Sequence, residues 1–514
     1  MKDDEITSLD ATDLAYAIRT KRVTSRQALE AFIRRNKRLG PYLNCVVVFD
    51  YAYARKLADE LDAKLRKGEI VGPLHGVPMT VKENNDVEGL VTTVGFPEYI
   101  GRVANSDEEM ISRIKSAGTL FIPTHHLITI SHHNIPYRCS NMGENESSSG
   151  RYGYPIVQQN IWHDFESVGF GTNTWRIIWR RSCSRRCFYQ PNRVGWRCWR
   201  FHSHSRFFLR CIWTQTDFWI DSQDWTTLGT QRERNFRYVA HSDSNTHSHS
   251  HIRTVRGPLS KSPRDLAMIL DIFAASLHLP RPSKTSLSEY RVAVWADDDA
   301  CRVDDDVRET ATNLAWTLRS RGVHVSFTAR PDFDLTHNVE TYKRLTAANS
   351  ALSGETNGVT LEEYRVAQEA QGRIRKSWER FFRSYDVLIV PSHCTPAFKK
   401  DESPKAGRTL EMVVDGKNVT MPYWRALFWA ILTNVGLLPS TTFPCGLGKR
   451  TNLPIGLNVV GPEWSDFITI DFARLLAEEC GCVFRSPPPL AVNHSSGGSG
   501  KGGGGDRSIM NSKL

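Results

Sequence analysis

The feature that most constrains this 514-residue chain is a break in its composition. Between Pro123 and Arg253, 131 residues hold 16 Arg but no Lys, only 3 Leu and 1 Ala, 11 of the 17 His and 8 of the 14 Trp. Leu and Ala build helices and cores, so a stretch almost without them is a poor candidate for a globular layer. No apolar pattern of period 3.6 or 2 persists across it. It also dominates the charge: 16 Arg against 9 Asp plus Glu give +7 of the formal +10, leaving +3 for both flanks together. The basic balance is a local property of one quarter of the chain.

Two readings of the stretch compete. In one it is a basic, aromatic-rich nucleic-acid insert with metal ligands among Cys183, Cys187, His202, His204, His247, His249 and His251. Those spacings match no zinc module, since no C-x2-C is paired with a second C-x2-C or an H-x3-H. An RNA surface normally mixes Lys with Arg. In the other, the stretch is not genuine coding sequence. No metal, cofactor, nucleic-acid or membrane partner is expected.

The flanks read as ordinary folded protein. With 40% apolar and 24% charged residues, wholesale disorder is excluded. No apolar run approaches the length of a membrane span. The start, Met1-Lys2-Asp3-Asp4-Glu5, lacks the apolar stretch of a secretory signal. Eleven Cys in so long a chain make no disulfide framework, which favours an intracellular location.

Residues 1–122 read as helix, helix, then a strand-and-turn core. Thr24 and Gln27 form a candidate capping box ahead of an apolar run. A second helix is expected from Ala52 to Lys67, and a short strand from Val77 to Val81 behind Gly and Pro punctuation. Lys82 follows that strand. Further helices are expected over Val307–Arg321 and Leu361–Arg383, and a buried strand leads into Pro391.

The string Gly72-Pro73-Leu74-His75-Gly76-Val77-Pro78-Met79-Thr80-Val81-Lys82-Glu83-Asn84 is similar to the catalytic-lysine motif of the amidase-signature family. Thr92, Thr93 and Gly95, then Ser106-Asp107 and Ile114-Lys115-Ser116-Ala117-Gly118, resemble its next segments. The likeness resumes at Val255-Arg256-Gly257-Pro258-Leu259-Ser260-Lys261-Ser262-Pro263-Arg264-Asp265-Leu266 and runs on through Tyr385–Pro391, Asn434, Gly436, Pro439, Pro444, Gly446, Leu453–Leu457, Val460-Gly461 and Asp466. It is strongest to the fungal acetamidase-type branch and covers 1–122 and 254–490. The resemblance implies a single α/β domain over 1–490, a mixed β-sheet flanked by helices, with 123–253 disrupted.

The family's Ser-rich signature belongs inside the disrupted segment, where only the decoy Glu146-Ser147-Ser148-Ser149-Gly150 occurs. Reading one nucleotide later changes this. Trp is encoded only by TGG, so every Trp becomes GGN, which is Gly. Trp175-Arg176-Ile177-Ile178-Trp179-Arg180 then permits G-E-S-S-G-G, against the family's G-G-S-S-G-G-E. The run from Trp196 to Arg206 permits G-D-V-G-G-S-I-R-I-P-A, the nucleophile loop, and that from Phe208 to Thr216 permits F-C-G-V-Y-G-L-K-P. Gln215, followed by Thr, can become only Lys or Arg. Phe201 becomes Ser or Phe and Ile177 becomes Ser, Leu or stop; the Ser choices, 24 positions apart, are the ones that fit the family's two serines. The shift opens between about 121 and 161 and closes between about 226 and 254, by single-base changes or wrong intron boundaries.

The resemblance implies hydrolysis of a carboxamide C–N bond by a Ser-Ser-Lys arrangement, a lysine variant of the serine triad. Lys82 is the general base, Ile177 holds the slot of the bridging Ser and Phe201 that of the nucleophile. Trp196, Cys198, Trp199 and Arg200 hold the Gly-rich oxyanion-loop slots. Of these parts only Lys82 survives in the written chain, which is therefore expected to be inactive. A small amide is the expected partner, with a homodimer left open. A catalytically dead amidase-like scaffold is the alternative, and a nucleic-acid-binding insert a weaker one.

Trp424, Phe428 and Trp429 are candidates for an acyl pocket, with core packing the commoner role, and Cys394 beside His393 is a candidate thiol site that the family's strand explains better. Residues 491–514 form a Gly/Ser-rich tail expected to be disordered. It ends Ser512-Lys513-Leu514, a tripeptide read by the peroxisomal import receptor, so cytoplasmic and peroxisomal locations are both open.

Overall fold

The computed structural model describes residues 1–123, with short breaks within 44–49, at 83–84 and within 93–100, then the four residues 212–215, then 257–352 less 276, 360–398 and 408–485. Four helices open the chain: α1 (Asp3–Ser8), α2 (Ala11–Arg19), α3 (Ser25–Leu43) and α4 (Tyr51–Arg66). The capping box forms as expected, Thr24 N–H donating to Gln27 Oε1 at 2.9 Å and Gln27 N–H to Thr24 Oγ at 3.0 Å. Asp62 of α4 adds a second cap from outside the helix, accepting from the Ser25 and Arg26 N–H groups at 2.7 and 3.1 Å. A carboxylate there meets the positive end of the α3 dipole. α1 and α2 go beyond the two helices expected, and contacts distant in sequence hold them. Arg34 pairs with Asp3, and Lys261 donates to the carbonyls of Thr7 and Leu9.

Next come β1 (Pro78–Val81), α5 (Glu109–Ser116) and β2 (Leu120–Pro123), with β1 and β2 paired in parallel. Within 123–253 the description beyond Pro123 covers a single strand, β3 (Ile212–Gln215). β4 (Leu259–Ser260) precedes α6 (Pro263–Phe273), which carries Pro at its first position, where a missing N–H costs nothing. The second half of the chain supplies β5 (Arg291–Val294), α7 (Asp305–Ser320), β6 (His324–Ser326), α8 (Leu335–Leu352), α9 (Leu361–Ser384) and β7 (Val387–Pro391). A hairpin of β8 (Thr409–Val414) and β9 (Lys417–Pro422) turns at Asp415-Gly416, both at positive φ, the primed turn that suits right-twisted strands. Then follow α10 (Phe428–Gly436), β10 (Ser440–Leu447), β11 (Pro454–Val460) and α11 (Asp466–Cys480).

Seven of these strands make one mixed sheet in the order β4-β3-β10-β11-β7-β5-β6. β5 runs parallel to β6 and β7, and the remaining pairs are antiparallel. β7 is buried along its whole length, which is why it reads as the unbroken apolar run Val387-Leu388-Ile389-Val390. The largest core cluster joins β5, β7, β10 and β11 to α7, α9, α10 and α11, with Trp295, Trp378 and Trp429 almost fully buried. A mixed sheet flanked by helices agrees with the architecture expected from the sequence. No described helix is long and apolar enough to cross a membrane.

Candidate active site

The Gly72–Lys82 string and the Ile114–Gly118 string are hydrogen-bonded to one another. Leu74 N–H donates to Ala117 O at 3.0 Å, Gly76 N–H to Gly118 O at 2.8 Å and Leu120 N–H to Val77 O at 2.9 Å. The backbones come so close that a Cβ on Gly72 would lie 2.7 Å from Ala117 O. Gly76, at φ +77°, has no room either: a Cβ there would lie 2.2 Å from Ser25 Oγ. Glycine is required for both reasons.

His75, in the middle of the string, is a buried structural residue. Its Nδ1 accepts from Val71 N–H at 3.1 Å, so the proton sits on Nε2, which donates to Leu61 O at 3.2 Å. Burial lowers its pKa and keeps the ring neutral.

These contacts fix β1, and β1 delivers Lys82 at its C-terminal end, half-buried. The Lys82 carbonyl accepts from both the backbone N–H and the side-chain amide of Asn85, at 3.1 and 2.8 Å. The segment that follows is pinned by charge. Arg102 grips Asp86 with two bonds of 2.9 and 2.8 Å, Lys115 pairs with Asp107, and Asp107 also accepts Glu88 N–H at 2.8 Å. Thr92 is buried, its N–H donating to Arg102 O. Lys82 therefore follows a strand held on both sides of the Gly72–Val81 string.

The expected partners lie outside the described residues. This holds for Ile177, Phe201, Trp196, Cys198, Trp199 and Arg200, for Thr93 and Gly95, and for the metal candidates Cys183, Cys187, His202, His204, His247, His249 and His251. It also holds for Ser512, Lys513 and Leu514. Among the described residues no group of three His, Cys, Asp or Glu is disposed to hold a metal ion.

The remaining candidates resolve by burial. Trp429 is core, edge-on to Trp295 at 5.8 Å, and Phe428 is buried beside it. Trp424 is 45% exposed, with the Lys343 ammonium over its ring at 4.7 Å. Core packing thus claims two of the three aromatics. His393 and Cys394 do not form a reactive thiol pair. Burial brings the His393 pKa down to about 4 and pushes the Cys394 thiol up, so neither ion of a thiolate–imidazolium pair is favoured.

The sequence reading assigned no role to Asp265. It is 1% exposed and accepts the N–H groups of Ala11 and Thr12 and the hydroxyls of Thr12 and Ser260. Beside it, Arg264 pairs with Asp10 and Asp13. The Ser260–Asp265 string therefore fastens the second flank to the N-terminal helices. Only the pairing of two distant strings could have revealed it.

Comparison with known proteins finds similarity in both flanks. The amidase family model matches residues 27–126 and 341–470. The indoleacetamide hydrolase of Bradyrhizobium diazoefficiens is 23% identical over 92% of this chain and 87% of its own length. An acylamidase of Rhodococcus erythropolis is 33% identical over 122 residues, 24% of this chain and 26% of its own. A bacterial aryl acylamidase of the amidase-signature family shares the fold, with a TM-score of 0.61 at 14% identity over 91% of this chain and 96% of that one. Both flanks are thus similar to amidases, and the fold is shared with an amidase-signature enzyme.

Proposed function

We propose that the gene specifies an amidase of the fungal acetamidase type, cleaving a carboxamide to a carboxylate and ammonia or an amine, and that the chain as written is inactive. The observation that carries this is the set of forced codon outcomes. In the shifted frame Trp175, Trp179, Trp196, Trp199 and Trp213 must become Gly and Gln215 must become Lys or Arg, in the order of the family's signature. They fall between the two stretches that match the family model.

An amide is resonance-stabilised and its amine leaves poorly, so hydrolysis needs a nucleophile, a proton route and charge stabilisation together. The Ser at slot 201 attacks the carbonyl carbon. Its proton passes through the Ser at slot 177 to Lys82, which must be neutral to take it. The free pKa of lysine, about 10.4, therefore has to fall, and desolvation at a half-buried strand end works in that direction. Backbone N–H groups of the shifted G-D-V-G-G loop at slots 196–200 stabilise the oxyanion, each worth about 3 kcal/mol. Lys82 then returns its proton to the leaving amine, and water repeats the cycle on the acyl-serine. In the written chain Phe201 cannot attack and Ile177 cannot relay. Acyl amides and indoleacetamide, named for the relatives, suggest a carboxamide with an apolar acyl group.

The test is the transcript sequence across codons 120–255. One base gained or lost at each edge supports the proposal, and the frame-corrected protein then turns over acetamide-like substrates. A transcript matching the written sequence overturns the first half and leaves a decayed amidase in which Lys82 is a relic.

A further inference from the structure

The arginines around α7 fall into two groups. At its N-terminal end Arg302 and Arg308 are held by the carboxylates of Asp297, Asp305 and Asp415. Beyond Glu309 the acids stop: residues 310–331 hold Arg319, Arg321, His324 and Arg330 but no Asp, Glu or Lys. This stretch runs along α7 and through β6, the last strand of the large sheet, so no described strand lies past it.

Here guanidinium groups and rings alternate in one contiguous row. The Arg319 guanidinium lies over the Trp316 ring at 5.5 Å. Trp316, 54% exposed, meets Phe327 with ring centres 4.8 Å apart. The Phe327 carbonyl accepts from Arg330 Nη1 at 3.4 Å, as do those of Val294 and Ala329 at 3.1 and 2.7 Å. Arg330 in turn lies over the buried ring of Trp295 at 5.1 Å. Its anchoring uses Nη1 alone; Nε and Nη2 have no bond among the described residues. Neither Arg319 nor Arg330 pairs with a described carboxylate. Asp298 is close enough to be felt by Arg330 without pairing with it, and its Oδ1 accepts Ala300 N–H at 2.9 Å.

We propose that the row Arg319, Trp316, Phe327 and Arg330 is a docking surface for an acidic protein segment with apolar residues between its carboxylates. A guanidinium fork matches a carboxylate with two parallel bonds. Arg330 is already oriented by three carbonyls, so little freedom is lost when it binds. Trp316 supplies the apolar anchor, since Trp and Arg carry much of the binding energy at protein interfaces. A single-stranded nucleic acid fits less well. A stacking base would have to displace Arg319 or Phe327 from the Trp316 ring, and Lys is absent. The hydrolysis proposed above uses none of these residues. All lie beyond residue 253, so their sequence does not change with the reading frame of the middle.

The full-length chain is titrated with a fluorescently labelled peptide of repeated Glu-Glu-Leu units, and binding is read as anisotropy at physiological ionic strength. A Gln-Gln-Leu peptide and an oligothymidylate of equal charge serve as comparisons. The expected result is saturable binding of the Glu peptide alone. Trp316→Ala and Arg319→Gln, both at exposed positions, each weaken it at least about fivefold. Arg330→Lys, which keeps the charge but loses the fork, does the same. Arg281→Gln, which removes a charge from another exposed site, leaves the affinity unchanged. Absence of saturable binding overturns the proposal. Equal affinity for the Gln peptide does so too, as the contact would be merely apolar. Equal affinity for the oligonucleotide would make the surface a general polyanion site and is equally fatal. An affinity that the three variants leave unchanged would place the peptide elsewhere and overturn the assignment.

Discussion

The carboxylate of Asp265 holds Thr12 twice, by its backbone N–H at 2.8 Å and by its hydroxyl at 2.6 Å. The two residues are 253 positions apart and lie on opposite sides of the compositional break. Removing the carboxylate strands several buried donors at once. Asp265→Ala is expected to cost about 3 kcal/mol, typical of hydrogen bonds to a buried charge, read as a lowered urea midpoint. A loss below about 1 kcal/mol would mean that the clasp is replaceable by water.

Gly76 is a sharper steric test. Gly76→Ala meets both the positive φ and the Ser25 hydroxyl, so a loss of about 2–4 kcal/mol is expected. Ser25 Oγ is buried without a hydrogen-bond partner, so Ser25→Ala alone should be close to neutral. The double variant should recover only the steric part, leaving the backbone strain. Thermal melts of the three variants decide the matter.

Acid should destabilise the fold through its buried histidines. The His393 pKa is about 4 in the fold against an ordinary value near 6.5, so the unfolded chain binds more protons between those limits. Its stabilising contribution is complete above about pH 6.5 and falls as the pH drops toward 4, by about 3 kcal/mol in all. His75 acts in the same direction. Denaturant midpoints at pH 7.5 and 4.5 measure the sum, and His393→Gln should flatten the slope.

Lys82 is tested in the frame-corrected enzyme. Lys82→Ala should reduce kcat/KM by at least about 10³-fold, on the scale of losing one member of a catalytic unit. Lys82→Arg should not restore it, because a guanidinium stays protonated and cannot act as a base. Unchanged turnover in either variant would move the base elsewhere.

Trp424 and Trp429 separate surface from core. Trp429→Ala empties a fully buried site and should cost about 3–5 kcal/mol. Trp424→Ala, at an exposed ring paired with Lys343, should cost under about 1 kcal/mol.

What was legible in the sequence was local or contiguous. The Thr24–Gln27 cap, the unbroken apolar β7 and the long α9 each carry their signal within a few residues. So does the string that ends at Lys82. The first two helices were not legible, because Asp3, Thr7 and Leu9 take their partners from Arg34 and Lys261. Nor can composition separate Trp424 from Trp429: the same residue type lies five positions apart, and only tertiary packing buries one.

β3 stands between β4 and β10, pairing Gln215 with Ser440 and Trp213 with both Thr442 and Leu259. Without it, β10 would become an edge strand with open N–H and C=O groups. Such an edge accepts a strand from any second copy. Loss of β3 would then appear first as insoluble, self-templating protein, and a solubility screen of variants at residues 212–215 would detect it before any assay of turnover.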